Sequence, residues 1–373
     1  MTIKKQKLTN ILFYFSYFLV VSSEMLTQVK YIAGYLKYFD YLAILILFVV
    51  FLIQSKNYSF KSFIYSIIFI FLSVIVTYVS KDSNILKLVL FLICFKDINF
   101  SECVKVDFYI KLLLVLLVML LYSFNMTVNI PVYRNGVLRK AFGFKHPNKI
   151  GMYLMMICLD CIYLSKGKFN MYYSFVILII ITFLFMFVDS RTSVLIVILA
   201  ISFIYINKIT KSKIIENKLV KIGTSNLFLI MTLLTLLLTI LTSNGNLLAV
   251  KINRVLSYRF TFNKYFLTQY HISLFGNNII TNNMYLLDSS YINILLRYGI
   301  IMWIWIYFLF FKTINKLYND KEFVLLIIII LLMLYGFSES FLYKITANVF
   351  LLYFGKILNK EVTSCEAKVV PKI

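Results

Sequence analysis

The sequence predicts an all-α, polytopic integral membrane protein of about twelve transmembrane helices, and three observations carry that prediction. The 373-residue chain is 61% apolar and only 14% charged, whereas soluble globular domains run near half apolar and a quarter charged. Its apolar residues gather into long runs, of a length that crosses a hydrocarbon core of about 30 Å at about 1.5 Å per helical residue. Lysine clusters fall between alternate runs, which is the bias that orients membrane helices. The formal charge of +23 resides in these short clusters. No contiguous basic domain exists, so the charge answers to orientation and membrane lipid, and no nucleic-acid partner is expected.

Taken in order, the N-terminal MTIKKQK precedes an apolar run in the manner of a secretory leader. No small-residue cleavage site follows, and it reads as a first, retained helix. Runs long enough to span lie at 9–26, 39–54, 62–79, 104–124, 149–165, 171–188, 191–207, 225–243, 291–311 and 322–337, with shorter candidates at 83–95 and 341–357. With both termini cytoplasmic, the inner side receives Lys4, Lys5 and Lys7, then Lys56 and Lys61, Lys96 and Lys105, Lys166 and Lys168, the five lysines of NKITKSKIIENKLVK, and Lys312, Lys316 and Lys321. One transmembrane domain is expected over 1–357, with long outer loops at 125–148 and 242–290 and a disordered cytoplasmic tail at 358–373.

The arginines obey a different rule. Arg134, Arg139, Arg191, Arg254, Arg259 and Arg297 all fall in the outer loops or at their edges, and the inner side is served by lysine alone. A diffuse positive charge suffices for orientation, while the planar guanidinium fork suits fixed, two-pronged contact with phosphate or carboxylate. The split points to an outward-facing anion site. Its densest part is PVYRNGVLRKAFGFKHPNKIG, Pro131 to Gly151; the plain alternative is a basic loop that touches lipid headgroups. The second loop alternates aromatic and polar residues and is expected to hold an amphipathic surface helix from about Arg254 to Tyr270, lining a sugar groove or anchoring in the interface.

Candidate chemistry concentrates on this outer face. Asp189-Ser190-Arg191-Thr192 is a polar turn between two apolar runs: either a hairpin with a local ion pair, or an arginine oriented by Asp189 toward diphosphate. His146 precedes Pro147 and Asn148, residues that suit a helix start, and three roles stay open for it: capping, general base, or hydrogen bonding to phosphate. His271, Asp288 and Glu339 complete the titratable set. Cys158 and Cys161 have C-x-x-C spacing inside an apolar run, where buried small hydrophobes are the expected reading. No metal-ligand spacing, phosphate-binding glycine loop or dinucleotide motif occurs, so neither metal nor cofactor is expected.

The order of these features resembles a known family. GFKHPNKIG in the first outer loop, the DSRT turn, NRVLSYR and LFG in the second loop, and DSSYINILLRYGI opening the next helix are similar to bacterial polysaccharide polymerases of the O-antigen polymerase (Wzy) type, which share a superfamily with O-antigen ligases. The resemblance implies a GT-C-like membrane glycosyltransferase of the bacterial cytoplasmic membrane. Such an enzyme moves a glycan from undecaprenyl diphosphate onto the next undecaprenyl-diphosphate-linked oligosaccharide at the outer leaflet, making capsule, exopolysaccharide or O-antigen without nucleotide sugar or metal. It also implies a flippase and a chain-length regulator as partners. Carried onto this chain, Arg191 and Arg259 would clamp the diphosphate, His146 would take the acceptor proton with Asp288 or Glu339 in reserve, and Arg134, Arg139, Asn148, Asp189, Arg254 and Tyr291 would bind substrate. A ligase of the same superfamily and a lipid-linked oligosaccharide flippase or transporter are the alternatives; a transporter is expected to place charges inside the bundle.

Overall fold

The computed structural model describes residues 3–55, 58–128, 131–134, 137–166, 168, 171–281 and 286–358. The tail beyond Leu358 lies outside the described residues, and with it the expectation of a disordered tail. The described chain is helical apart from one two-stranded hairpin. Among the described residues five helices are long and apolar enough to cross a membrane, and six if one bent pair counts as a single span. That architecture is consistent with a multi-pass membrane protein. Large apolar side chains stand exposed along these helices, among them Leu45 and Leu52, Tyr65 and Phe71, Leu195, and Leu233 and Leu237; in water such surface would drive aggregation, whereas acyl chains cover it.

The chain divides into two compact units, each discontinuous in sequence. The first comprises Met1–Tyr58, Ile93–Ile206 and Thr346–Leu352. It holds α1 (Ile3–Met25), α2 (Leu36–Ser55), α5 (Phe100–Ser123), α6 (Pro147–Leu164), α7 (Met171–Phe183) and most of α8 (Arg191–Ile209). α6 is its centre: every residue from Ile150 to Ile162 is buried, as a helix apolar on all sides must be. The second unit comprises Ser59–Leu92, Asn207–Ile345 and the segment from Tyr353. It holds α3 (Phe60–Ser80), most of α4 (Asn84–Cys94), α9 (Lys218–Ser225), α10 (Leu227–Ser243), α11 (Leu247–Val255), α12 (Arg259–Gln269), α13 (Ser290–Asn293), α14 (Gly299–Asn319) and α15 (Phe323–Tyr335). α15 is its buried counterpart to α6.

Three expectations are corrected. The run at 341–357 is not a spanning helix: turns occupy 336–347 and a short helical stretch forms only from Val349. Apolar composition made it read as a span, yet its backbone is irregular and almost wholly buried, the circumstance in which non-helical chain is tolerated at membrane depth. The loop at 125–148 contains the antiparallel hairpin β1 (Val132–Arg134) and β2 (Val137–Arg139), with Tyr133 opposite Leu138. The surface helix expected from Arg254 to Tyr270 is two helices. Asn253 breaks it, because its Oδ1 accepts from the Phe260 amide at 3.0 Å and its Nδ2 donates to Thr261 Oγ1 at 2.8 Å, while Ser257 and Tyr258 turn the corner in the left-handed region.

Candidate functional site

The candidate residues gather in polar clusters around Arg139 in the first unit and Arg259 in the second. In the first, Pro147 opens α6 and His146 caps it: Nδ1 accepts from the Asn148 amide at 3.0 Å. An amide can only donate, so the ring's accepting nitrogen is engaged and a neutral imidazole carries its proton on Nε2. The neighbouring Asn148 Oδ1 accepts from Arg139 Nη2 at 3.0 Å, and the same nitrogen donates to the Asp189 carbonyl at 3.0 Å. Arg139 is thereby buried and fixed between the start of α6 and the 189–191 turn.

That turn has its own cause. A single π turn, Leu184–Val188, extends α7 and ends at Asp189, whose φ of 49° is left-handed, a conformation acidic and amide side chains accept better than branched ones. Asp189 Oδ1 then holds Arg191 Nε at 2.9 Å, and Oδ2 lies 3.8 Å from Arg139 Nε. Arg191 is 72% exposed. One edge of its guanidinium is held and the rest faces outward. The turn sits hard against α6, since a Cβ on Gly151 would fall 2.2 Å from Ser190 Oγ. Beside it Lys149 pairs with Glu24 at 3.4 Å, and Glu24 also accepts from the Thr346 hydroxyl. Arg134 ends β1, and its side chain lies outside what is described.

In the second unit Arg259 begins α12. Its Nη2 lies 2.9 Å from Glu339 Oε1 and its Nη1 4.0 Å from Asp288 Oδ2. Burial pulls the Arg259 guanidinium down; the carboxylates of Glu339 and Asp288 more than offset this and raise it above its ordinary value, so it is charged throughout the working pH range. Ser290 positions Glu339: its hydroxyl donates to the Glu339 carbonyl and accepts from the amides of Phe341 and Leu342 at 3.0 and 3.2 Å. Asn293 ties in Ser340 at 2.9 Å and the Leu287 carbonyl at 3.1 Å.

Two of the remaining substrate residues fall elsewhere. Tyr291 is wholly buried and its hydroxyl donates to the Met333 carbonyl at 2.6 Å. Arg254, in the last turn of α11, is exposed and stands apart from these hydrogen-bonded clusters. Arg297 is architectural: it bonds Asn293 Oδ1 at 3.1 Å and the Ile279 carbonyl at 3.3 Å, and faces Asp82 at 3.8 Å. Just beyond it Gly276, with φ 89°, is pressed against the Arg297 carbonyl, and Asn277 clasps the carbonyls of Leu296 and Arg297 that the π turn Ile294–Tyr298 exposes.

Sequence reading missed a third polar group. Midway along α5, in the core of the first unit, Lys111 Nζ lies 2.6 Å from Asp107 Oδ2 and 3.2 Å from the Ala347 carbonyl, and Tyr17 donates to Asp107 Oδ1 at 2.9 Å. Asp160 of α6 lies beside them, and all four side chains are fully buried or nearly so. The signal was present as two opposite charges four residues apart inside an apolar run. Among the described residues no cluster of His, Cys, Asp and Glu could hold a metal ion, and Cys94, Cys103, Cys158 and Cys161 are buried free thiols.

No protein-family model matches this sequence, and neither the curated proteins nor the solved structures compared with it give a match.

Proposed function

We propose that the protein is a membrane glycosyltransferase that polymerises undecaprenyl-diphosphate-linked oligosaccharide units at the outer face of a bacterial cytoplasmic membrane, on a GT-C-like multi-pass helical bundle. The observation that carries this reading is Arg191, held at one edge by Asp189 and otherwise exposed at the start of α8. A guanidinium oriented in this way is arranged for a diphosphate leaving group, whose charge grows as the glycosidic bond breaks. The family resemblance supplies the substrate class.

In the proposed transfer the acceptor hydroxyl oxygen attacks the anomeric carbon, the bond from that carbon to the diphosphate oxygen breaks, and the bonding pair leaves with the lipid diphosphate. The acceptor proton must go to a base. His146 spends its accepting nitrogen on the helix cap, which favours Glu339 or Asp288, both beside Arg259, as the proton acceptor.

The test is the length distribution of lipid-linked glycans in membranes lacking the gene, complemented at matched expression with wild type, Arg191→Ala or Arg259→Ala. Polymerase activity gives single units without the gene, a ladder with wild type and none with either variant. Normal ladders with both variants would sink the assignment, and ladders that stay on the carrier without reaching a final acceptor identify a ligase. A second reading, a transporter of lipid-linked oligosaccharide, is favoured by the buried Asp107, Lys111 and Asp160 group, because ionisable side chains within a membrane bundle are costly and mark transport pathways. On that reading, loss of the gene leaves single units on the cytoplasmic leaflet.

A further inference from the structure

The lysine-rich segment 207–222 runs from the last residues of α8 through α9 towards α10. Its sequence, NKITKSKIIENKLVKI, holds five lysines against one acid, Glu216. The structure makes it a compact, fixed object. Lys211 and Ser212 adopt left-handed conformations, and the backbone closes on itself through Ser212 to Asn207 at 2.9 Å, Lys213 to Thr210 at 3.0 Å and Glu216 to Ser212 at 2.9 Å. Asn217 then caps α9, its Oδ1 accepting from the Leu219 amide at 2.9 Å.

α9 does not continue the direction of α10: the two are bent by 64° at Asn226. One face of α9 explains why the bend holds. Thr224 Oγ1 meets the Tyr318 hydroxyl at 2.9 Å, Ser225 Oγ donates to Asn315 Oδ1 at 3.2 Å, and Lys221 lies over the Tyr318 ring and 3.4 Å from Asn319 Oδ1, all near the end of α14. The opposite face has Leu219 78% and Ile222 51% exposed, with Ile209 and Ile214 exposed on the preceding turn. Lys208, Lys211, Lys213 and Lys218 are exposed around them. The acids nearby are Glu216, Glu322 and Asp320, and Asp320 is neutralised by Lys316 at 2.6 Å.

An apolar ridge rimmed by lysines, on a short helix turned steeply away from the span it precedes, has the composition of an interfacial element. The segment joins two apolar helices, α8 and α10, which sets the ridge beside the bilayer those helices enter, where an anionic leaflet meets both its apolar and its basic residues. We infer that residues 207–222 form a docking surface for anionic lipid, with Leu219 and Ile222 seated at the acyl boundary and Lys208, Lys211, Lys213 and Lys218 pairing with headgroup phosphates.

The test uses the full-length chain carrying Leu219→Trp, reconstituted into phosphatidylcholine vesicles containing a minor fraction of phosphatidylglycerol. Either lipid is brominated on its acyl chains, and unsubstituted protein corrects for Trp303 and Trp305. The proposal expects quenching at residue 219, stronger with brominated phosphatidylglycerol than with an equal amount of brominated phosphatidylcholine. A lysine at an anionic surface is worth about fivefold in partitioning, so a preference of that order is expected. It should fall to parity in high salt and in the Lys208→Gln, Lys211→Gln, Lys213→Gln, Lys218→Gln background, whose thermal midpoint should match wild type because these side chains are exposed. Absence of quenching by either lipid places the ridge in water or under a protein and overturns the proposal. Equal quenching by the two lipids, or a preference that survives the four substitutions, overturns it too.

Discussion

Arg259 divides its guanidinium between two carboxylates, at 2.9 Å for Glu339 and 4.0 Å for Asp288, and lysine cannot reproduce that fork with a single ammonium. Arg259→Lys is therefore expected to lose polymer nearly as completely as Arg259→Ala, read as ladder length at matched protein level. Glu339→Gln and Asp288→Asn separate the two carboxylates by role. The one that accepts the acceptor's proton should slow transfer by about 10²- to 10⁴-fold when amidated, whereas a carboxylate that only orients Arg259 keeps most of its hydrogen bonding as an amide. Equal, mild losses from both would remove them as bases. In the core of the first unit, Lys111→Met strands Asp107 and is expected to cost about 3–5 kcal/mol. The double substitution Asp107→Asn with Lys111→Met should recover most of this, and thermal midpoints in detergent would show whether the pair is structural.

The loop 271–281 is held by glycine and asparagine. Gly276 combines a left-handed φ with an approach so close that a Cβ would meet the Arg297 carbonyl oxygen at 1.9 Å, and Gly299 faces it in the same conformation. Gly276→Ala should unseat the loop and destabilise the second unit by about 1–3 kcal/mol, visible as faster proteolytic cleavage within 271–281 while the long helices stay resistant. Unchanged cleavage would mean that the backbone can yield there. Such packing was only partly legible. Pro147 with His146 announced the start of α6, and DSRT announced a tight turn, because proline, capping residues and short polar interruptions act locally. Asn135-Gly136 between two β-prone triplets also announced the hairpin, a signal hidden by reading 125–148 as one loop. The roles of Asn253, Asn277 and Ser290 were not legible, since each depends on a partner brought near by tertiary packing. The same reason hid the irregular path through 336–347, where apolar composition is identical to that of a span.

At the scale of the whole molecule, membrane character was plain from composition, while the number of crossings rests on helices whose length does not decide the matter. α4 has 11 residues and α15 has 13, about 16–20 Å of helix at about 1.5 Å per residue, less than a hydrocarbon core unless neighbours or a thinned bilayer make up the difference. The spans read from the sequence up to 291–311 fix their parity. Between Tyr133 and Leu247, both exposed, they place four crossings, at 149–165, 171–188, 191–207 and 225–243, so the two residues must share the outer side. Tyr31 should join them, and Lys213 and Asp320 should face the cytoplasm. Cysteine labelling in intact cells checks this directly with Tyr31→Cys, Tyr133→Cys, Leu247→Cys, Lys213→Cys and Asp320→Cys, in a Cys365→Ser background, because the four other cysteines are buried. Labelling of 31, 133 and 247 by an impermeant reagent, with 213 and 320 reached only after permeabilisation, upholds the parity. Opposite sides for 133 and 247 would mean that one of the four does not cross. The helix to suspect is then α10, since Arg139 at the Asp189 carbonyl keeps the end of α7 at the start of α6, whereas α10 has 17 residues and is bent by 64° from α9; its withdrawal from the count would put Arg191 and Arg259 on opposite sides of the membrane and end the proposal that both serve one transfer.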